Sequence, residues 1–190
     1  MNEIVYVSGC SATTLHHWAG LRDNRYSNAQ LVELLNNDVS FKAARNNILN
    51  VDTLIIDEIS ISSEVFSQLE FVCREIRGNN NAFGNIQVIT CGDFYQLKPV
   101  PNYNDPGDYC FESKVWKSAM SHVVVLDQVM RQQDQELVNA INELSSGVVS
   151  DNTNTFLANL SRPLPDASKS NSLQIIIYIA MEQILLSMQI

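Results

Sequence analysis

The sequence is poor in positive charge and contains no long hydrophobic run. Its 190 residues include 12 lysines and arginines against 21 aspartates and glutamates, which gives a formal net charge of −9. Proteins that bind nucleic acid through a generally positive surface are usually basic, so any nucleic-acid contact here has to be local. The longest apolar run, Ile175–Met181, is well below the roughly 18–20 residues of a membrane span. The first residues show no signal peptide, so an intracellular protein without a membrane contact is expected.

The sequence also lacks paired cysteines. No Cys-x-x-Cys motif occurs among the four cysteines, which are Cys10, Cys73, Cys91 and Cys110. Their spacing favours neither a zinc site nor a disulfide framework, and four buried thiols in a reducing compartment are expected. His16 and His17 follow Cys10 closely, but adjacent histidines on a strand point to opposite faces, so a metal site is not favoured.

The sequence does contain an alternation of strand and helix patterns. Short runs of apolar and β-branched residues predict four strands, at Ile4–Val7, Val51–Ile56, Ile86–Thr90 and His122–Leu126. Helix patterns separate these runs, which is typical of βαβ units. The fold class predicted is therefore α/β, with a parallel sheet and flanking helices.

The helix patterns begin at serines. Ser27, Ser40 and Ser62 each stand at a capping position before apolar residues at helical spacing. The stripe after Ser62 is formed by Val65, Leu69, Val72 and Ile76, and a last helix carries Leu137, Ile141 and Leu144. Residues 99–109 predict a surface loop. Two interpretations of Leu173–Ile190 stay open: a buried strand followed by a helix, or an unpaired, aggregation-prone tail.

An acidic pair follows the second predicted strand. Asp57 and Glu58 come directly after Val51–Ile56, and ligands of open parallel sheets bind at the carboxyl ends of strands. In phosphoryl transfer one such carboxylate holds Mg²⁺ and the other orients or deprotonates the attacking water. Acidic residues at strand ends are also ordinary solvated turn residues, so the pair alone does not decide between the two interpretations.

Two further polar residues follow the next predicted strands. Gln96 lies shortly after Ile86–Thr90, where a glutamine can hydrogen-bond a γ-phosphate or the attacking water. Arg131 follows His122–Leu126, where an arginine can bind a phosphate in bidentate fashion. Three polar positions after successive strands favour a nucleotide site over unrelated surface residues.

Four segments together resemble the PIF (petite integration frequency) family of ATP-dependent DNA helicases. In chain order they are Thr13–Gly20, Leu54–Ser60, Gly92–Leu97 and Val129–Gln132, and Cys110–Ser113 and Phe156–Pro165 are similar to family connectors. The resemblance covers about residues 5–165. It implies a RecA-like motor domain of the P-loop NTPase fold that hydrolyses ATP with Mg²⁺ and moves 5′-to-3′ along single-stranded DNA. It also implies roles in DNA repair, recombination and telomere maintenance, in the nucleus or the mitochondrion.

The resemblance gives individual residues expected roles. Asp57 and Glu58 are the Walker B pair, with Asp57 as the metal ligand, and Gln96 is the glutamine that senses the γ-phosphate. Arg131 is the motif-IV arginine, so Asp57, Gln96 and Arg131 are all expected to contact the nucleotide complex. The segment from Thr14 through His16 to Trp18 is expected near single-stranded DNA, where an aromatic can stack on a base. Trp18 as an ordinary core residue stays the alternative.

The sequence departs from the family pattern in its missing P-loop and in the missing second motor domain. A P-loop needs Gly-x-x-x-x-Gly-Lys-Ser/Thr, and none of the seven glycines is followed by lysine. Residues 1–165 are expected to be a partial motor domain and 166–190 a divergent apolar tail, without a second motor domain. We therefore expect a helicase fragment that is inactive alone. The alternatives are a non-enzymatic remnant that binds DNA or a protein, and a truncated gene model with no independent function. No stable protein partner can be inferred.

Overall fold

The computed structural model describes residues 12–22, 24–130 and 132–160. The chain divides into two compact units, of which the first ends at Val124 and the second begins at Val125. The predicted strand Ile4–Val7, Cys10 and the predicted boundary between residues 165 and 166 lie outside the described residues, as does Leu173–Ile190. No helix in the described ranges is long and apolar enough to cross a membrane.

The first unit is built around a pair of parallel strands. Strand β1 spans Thr53–Ile56 and strand β2 spans Gln87–Thr90, and the register places Ile56 opposite Thr90. Alternate residues of each strand point to opposite faces, so Leu54 and Ile56 are buried while Ile55 is 66% exposed. One face of the sheet thus packs on the core, and the α/β prediction with parallel strands is confirmed.

Five helices accompany this sheet in the first unit. They are α1 Leu15–Ala19, α2 Asn28–Asn37, α3 Lys42–Asn50, α4 Ser63–Arg77 and α5 Lys114–Ala119. Short 3₁₀ turns lie at Val39–Phe41, Ala82–Asn85 and Cys110–Glu112. In the second unit α6, Gln135–Ser146, packs against α7, Asp151–Leu160.

Two of the predicted helix caps, Ser27 and Ser62, form as the sequence predicts. Ser27 caps α2 in a capping box, because its hydroxyl accepts from Gln30 N while the Gln30 side chain accepts from Ser27 N. Ser62 accepts from Val65 N and so begins α4, which ends at Gly78 in the left-handed conformation. The predicted apolar stripe of α4 is buried and forms the centre of the core. Helix α4 is the crossover that connects β1 to β2.

Three sequence predictions are wrong. Asp38, not Ser40, caps the turn before α3, since its carboxylate accepts from Ser40 N at 2.7 Å. His122–Leu126 is not a strand, because among the described residues no strand pairs with it. Its three valines are 79–82% exposed. Strand propensity reflects packing on a pleated surface and has no effect where such a surface is missing. Cys91 is exposed rather than buried.

Candidate functional site

The two segments that follow β1 and β2 run side by side. Cys91 N donates to Ile56 O at 2.9 Å, and Ile59 N donates to Cys91 O at 3.0 Å. The backbone pairing therefore continues past the ends of the strands. It holds the segment that contains Asp57 and Glu58 against the segment that leads to Gln96.

Gly92 allows this close approach. A Cβ atom on Gly92 would lie 2.9 Å from both Ile59 N and Ile59 Cγ2, closer than such atoms come in real structures. One of the two atoms belongs to the backbone, which cannot rotate away. Only glycine fits at this position, and the spacing between the two segments depends on it.

Asp57 and Glu58 form a sharp turn at the end of β1. Glu58 has a φ of 52°, in the left-handed region that residues with a side chain rarely adopt. The amide of Glu58 donates to Oδ1 of Asp57 at 3.0 Å, which stabilises the turn. Both carboxylates are exposed. Strained backbone of this kind is found where the surrounding structure fixes a side chain in one place.

Asp93 organises the segment after β2. Its carboxylate accepts from Tyr95 N at 2.9 Å and from Nε2 of Gln96 at 3.4 Å. Its carbonyl accepts from the Ser60 hydroxyl at 3.5 Å, which connects it to the segment after β1. Sequence reasoning missed these positioning roles of Asp93 and Ser60. The residue type of Asp93 indicates its role, because an aspartate side chain in a turn commonly accepts a hydrogen bond from the backbone amide two residues further along the chain.

The structure thus brings three predicted site residues to one end of the sheet. Asp57, Glu58 and Gln96 lie on the two paired segments, and all three are exposed. Arg131 lies outside the described residues, so its predicted position stays a prediction. The catalytic roles of all four residues also stay predictions.

The segment predicted to contact DNA forms α1 and its cap. The Thr14 hydroxyl accepts from His17 N at 3.3 Å, and Thr14 and His16 are exposed. Trp18 is half-buried and packs against the core, and its carbonyl accepts from Nδ2 of Asn47 at 3.0 Å. His16 and His17 lie on a helix, not on a strand. The expectation that their side chains point to opposite faces of a strand is therefore wrong.

The carboxylates at the strand ends suit Mg²⁺ held together with phosphates. In the described part of the chain, no three carboxylate, thiol or imidazole groups come together as a metal cage. Mg²⁺ is commonly bound by one or two carboxylates, several waters and the phosphates of a nucleotide. Asp57, exposed at the end of a strand, fits that donor set.

Comparison with known proteins identifies the class of this fold. The sequence model of PIF1-like helicases matches residues 13–154, and the chain belongs to the PIF1-like helicase family. The crystal structure of the Pif1 helicase from Candida albicans superimposes with a TM-score of 0.72 at 34% identity, over 81% of this chain and 35% of that one. The described sheet and helices are accordingly part of a RecA-like domain of the P-loop NTPase fold.

Individual relatives agree with this assignment. ATP-dependent DNA helicase PIF1 of Homo sapiens is 38% identical over 148 residues, and that of Saccharomyces cerevisiae (strain YJM789) is 42% identical over 120 residues. These matches cover 76% and 62% of this chain. A Pif1 helicase from Bacteroides, in complex with ADP-AlF3 and ssDNA, superimposes with a TM-score of 0.59 at 26% identity, over 67% of this chain and 32% of that one. The chain spans only 22% of the human relative and 14% of the yeast relative.

Proposed function

We propose that this chain is part of the first motor domain of an ATP-dependent DNA helicase. The observation that supports it best is the pairing of the two segments beyond β1 and β2. It brings Asp57, Glu58 and Gln96 to one end of a parallel sheet, the end where α/β proteins bind ligands. The human and yeast relatives are named ATP-dependent DNA helicases, and the Bacteroides relative was solved with a nucleotide analogue.

In this proposal each polar residue acts on a different part of the ATP complex. Asp57 would hold Mg²⁺, and Glu58 would orient or deprotonate the attacking water. Gln96 contacts the γ-phosphate or that water, while Asp93 orients its amide. Arg131 stabilises the charge that develops on the transferred phosphoryl group.

The partner proposed is single-stranded DNA. Thr14 and His16 are exposed on α1 and its cap, and the Bacteroides relative was solved with ssDNA. Trp18 packs against the core, which leaves α1 to present its polar residues rather than a free aromatic face. We propose 5′-to-3′ movement, a role in DNA repair, recombination and telomere maintenance, and a nuclear or mitochondrial location, on family resemblance.

The direct test of the site uses a chimeric helicase. This segment replaces the matching segment of the Saccharomyces cerevisiae relative, and ATPase activity is measured on single-stranded DNA. Asp57→Ala should abolish hydrolysis, and Glu58→Gln should retain nucleotide binding while hydrolysis stops. Asp52→Ala is the matched control, since Asp52 is exposed at the opposite end of β1. Unchanged activity in the two site variants would refute the assignment.

The second candidate function is that of a non-enzymatic remnant that binds DNA. Its sequence contains no Gly-Lys-Ser/Thr motif, so the amides and lysine that hold the β- and γ-phosphates are not in it. We therefore propose that this chain alone binds Mg-ATP weakly or not at all, and calorimetric titration tests this. Binding of single-stranded DNA without ATP would favour the non-enzymatic DNA-binding remnant. Micromolar ATP binding or measurable turnover would contradict our interpretation of the missing motif.

A further inference from the structure

Phe94 is anchored in the protein although its neighbours in the segment after β2 are exposed. Asp93, Tyr95 and Gln96 are exposed, whereas Phe94 is half-buried and packs against the core. The backbone closes a turn here, since Gln96 N donates to Asp93 O at 3.3 Å. The ring of Phe94 therefore connects the turn that presents Gln96 to the interior of the first unit.

Three aromatic rings surround that of Phe94 and form an aromatic cluster with it. The ring centroid of Phe111 lies 4.9 Å away, and those of Tyr109 and Trp116 lie 5.9 Å away, all in edge-to-face geometry. The hydroxyl of Tyr109 also donates to Phe94 O at 3.3 Å. Because aromatic pairs prefer such edge contacts, the cluster fixes the direction in which the Phe94 ring points.

The aromatic cluster is bonded to the segment that follows β1. Tyr109 comes directly before the 3₁₀ turn Cys110–Glu112, and Phe111 lies within it. Cys110 N donates to Ile61 O at 3.2 Å, which joins this turn to the segment after β1. Two rings of the cluster are therefore fixed relative to the segment that contains both predicted carboxylates.

Trp116 connects the aromatic cluster to the centre of the core. Its ring centroid lies 5.2 Å from that of Phe66, which is fully buried on α4. Helix α4 carries the buried apolar stripe around which the first unit packs. The cluster is thus held from two sides and is a rigid base for the turn that contains Phe94.

The turn needs such a base because a glycine precedes it. The backbone of Gly92 is free to rotate as long as nothing else holds the turn, since glycine has no side chain to restrict it. The bond from the Ser60 hydroxyl to Asp93 O also reaches this turn, but it is long, at 3.5 Å. The ring of Phe94 is therefore the stronger restraint on the direction of Gln96.

We propose that Phe94 is a positioning residue for Gln96, and that the aromatic cluster sets where the Gln96 amide lies relative to Asp57 and Glu58. The inference rests on the function proposed above, in which Gln96 contacts the γ-phosphate or the attacking water. Phe94 has no polar side-chain atom for either contact. In phosphoryl transfer the protein acts mainly through position, and a displacement of about 1 Å can cost about 100-fold in rate. Loss of the ring should therefore slow hydrolysis without removing a group that binds ATP.

The first test measures the order of the Gln96 backbone amide in the full chain. ¹⁵N relaxation of the wild-type chain should give an order parameter of about 0.85, and Phe94→Leu should lower it below about 0.6. Leucine keeps the position apolar and removes the ring contacts. Phe83→Leu is the control, because Phe83 is buried and its ring meets Phe66 at 5.3 Å, outside the aromatic cluster. It should leave the value unchanged, and an unchanged value in Phe94→Leu would overturn the proposal.

The second test measures ATP hydrolysis by the chimeric helicase on single-stranded DNA. Gln96→Ala should lower kcat about 100-fold, as the removal of one transition-state contact does. Phe94→Leu should lower kcat about tenfold and leave KM for ATP within about twofold. When Gln96→Ala is already present, Phe94→Leu should lower kcat by less than about twofold, because the residue that it positions is gone. A general loss of stability would instead lower kcat in both backgrounds.

The two backgrounds separate this proposal from the function on which it rests. No effect of Gln96→Ala would refute the role of Gln96 in hydrolysis, and this proposal with it. If Gln96→Ala does lower kcat, no effect of Phe94→Leu, or an equal effect in both backgrounds, would overturn the positioning role alone. If Phe94→Leu fails to fold, Phe111→Leu takes its place, since it removes the nearest ring and leaves the turn unaltered. Its loss in kcat should be about threefold and should again require Gln96.

Discussion

Single residues hold the two segments of the candidate site at a fixed spacing. Glu58 bends the chain at the end of β1 with a φ of 52°. Gly92 offers only hydrogen atoms to the backbone of Ile59, and Asp93 connects to both Gln96 and Ser60. The geometry of Asp57, Glu58 and Gln96 thus depends in part on Gly92, Asp93 and Ser60, which touch no reacting atom in the proposed mechanism.

Gly92→Ala should lower the free energy of unfolding by about 1–3 kcal/mol, because the added methyl group meets the backbone of Ile59. Gly78→Ala is the comparison: it has open space around it and a φ of 58°, so only backbone strain opposes alanine. Its cost should stay near 1 kcal/mol. Urea unfolding of both variants measures the difference. A larger loss of unfolding free energy for Gly78→Ala would show that the backbone near Ile59 shifts easily to make room for the added methyl group.

The Cys73 thiol should make stability fall at alkaline pH. Burial raises the pKa of Cys73 from 9.0 to about 12, so the folded chain keeps a proton that the unfolded chain loses above pH 9. Stability from this group is complete below pH 9 and is lost as the pH rises towards 12. From pH 8.5 to 10.5 the wild-type chain should lose about 2 kcal/mol more than Cys73→Ala in urea unfolding. Equal losses would show that the thiol does not stay protonated.

At the scale of secondary-structure elements, a buried polar group connects α4 to the loop after β2. Ser62, the cap of α4, donates its hydroxyl hydrogen to Oδ2 of Asp105 and accepts from Val65 N. Asp105 is buried and also accepts from Gly107 N at 2.9 Å. The start of α4 and the loop are therefore fixed together.

Ser62→Ala should destabilise the chain by about 2–4 kcal/mol, since it removes a helix cap and leaves a buried carboxylate short of a donor. Ser27→Ala at the exposed cap of α2 is the matched control and should cost about 1 kcal/mol. Thermal or urea unfolding gives both values. Similar losses for the two serines would mean that the bond to Asp105 contributes little.

Elements with local signals could be predicted from the sequence. Ser27, Ser62 and Gly78 mark helix ends because a cap depends on neighbours within four residues. The strand before Asp57 was recognisable by its continuous apolar run, although it begins at Thr53 rather than Val51. Since parallel strands end at the same edge of a sheet, the proximity of the two polar segments followed as well.

Features that depend on distant contacts could not be predicted. His122–Leu126 has the composition of a strand, but composition does not show whether a neighbouring strand is available. Asp105 lies in the predicted surface loop, yet it is buried and accepts a hydrogen bond from Ser62, 43 positions away. The bond from Gln96 to Asp93 likewise requires a turn geometry that residue types only suggest.

At the scale of the whole molecule, the described sheet has an uncovered apolar face. Ile55 is 66% exposed and Ile89 is 42% exposed on adjacent strands. Parallel sheets are normally covered on both faces, because their strands connect through helices. Val123, Val124, Val125 and Leu126 add further exposed apolar side chains.

We expect the chain to associate or to be poorly soluble when expressed alone, because such surface is removed from water by contact with another copy. Size-exclusion chromatography at several protein concentrations tests this. The double variant Ile55→Thr and Ile89→Thr should shift the elution towards monomer, since threonine keeps the strand preference and is more polar. Val39→Thr, at a position 85% exposed outside the sheet, should change nothing. A sharp monomer peak with a cooperative melt for the wild-type chain would contradict the expectation.

The parallel register has a consequence for how the crossover can vary in length. Thr53 pairs with Gln87, and the turn from Gly78 to Ile86 lies between α4 and β2, at the opposite end of the strands from Asp57. Loop-closure entropy grows only with the logarithm of length, so doubling such a turn costs about 0.6 kcal/mol. Insertions among the polar residues Asn79–Asn81 would leave the pairing of Ile56 with Thr90 in place. Homologous chains can therefore differ in length here while the spacing of the polar segments stays the same.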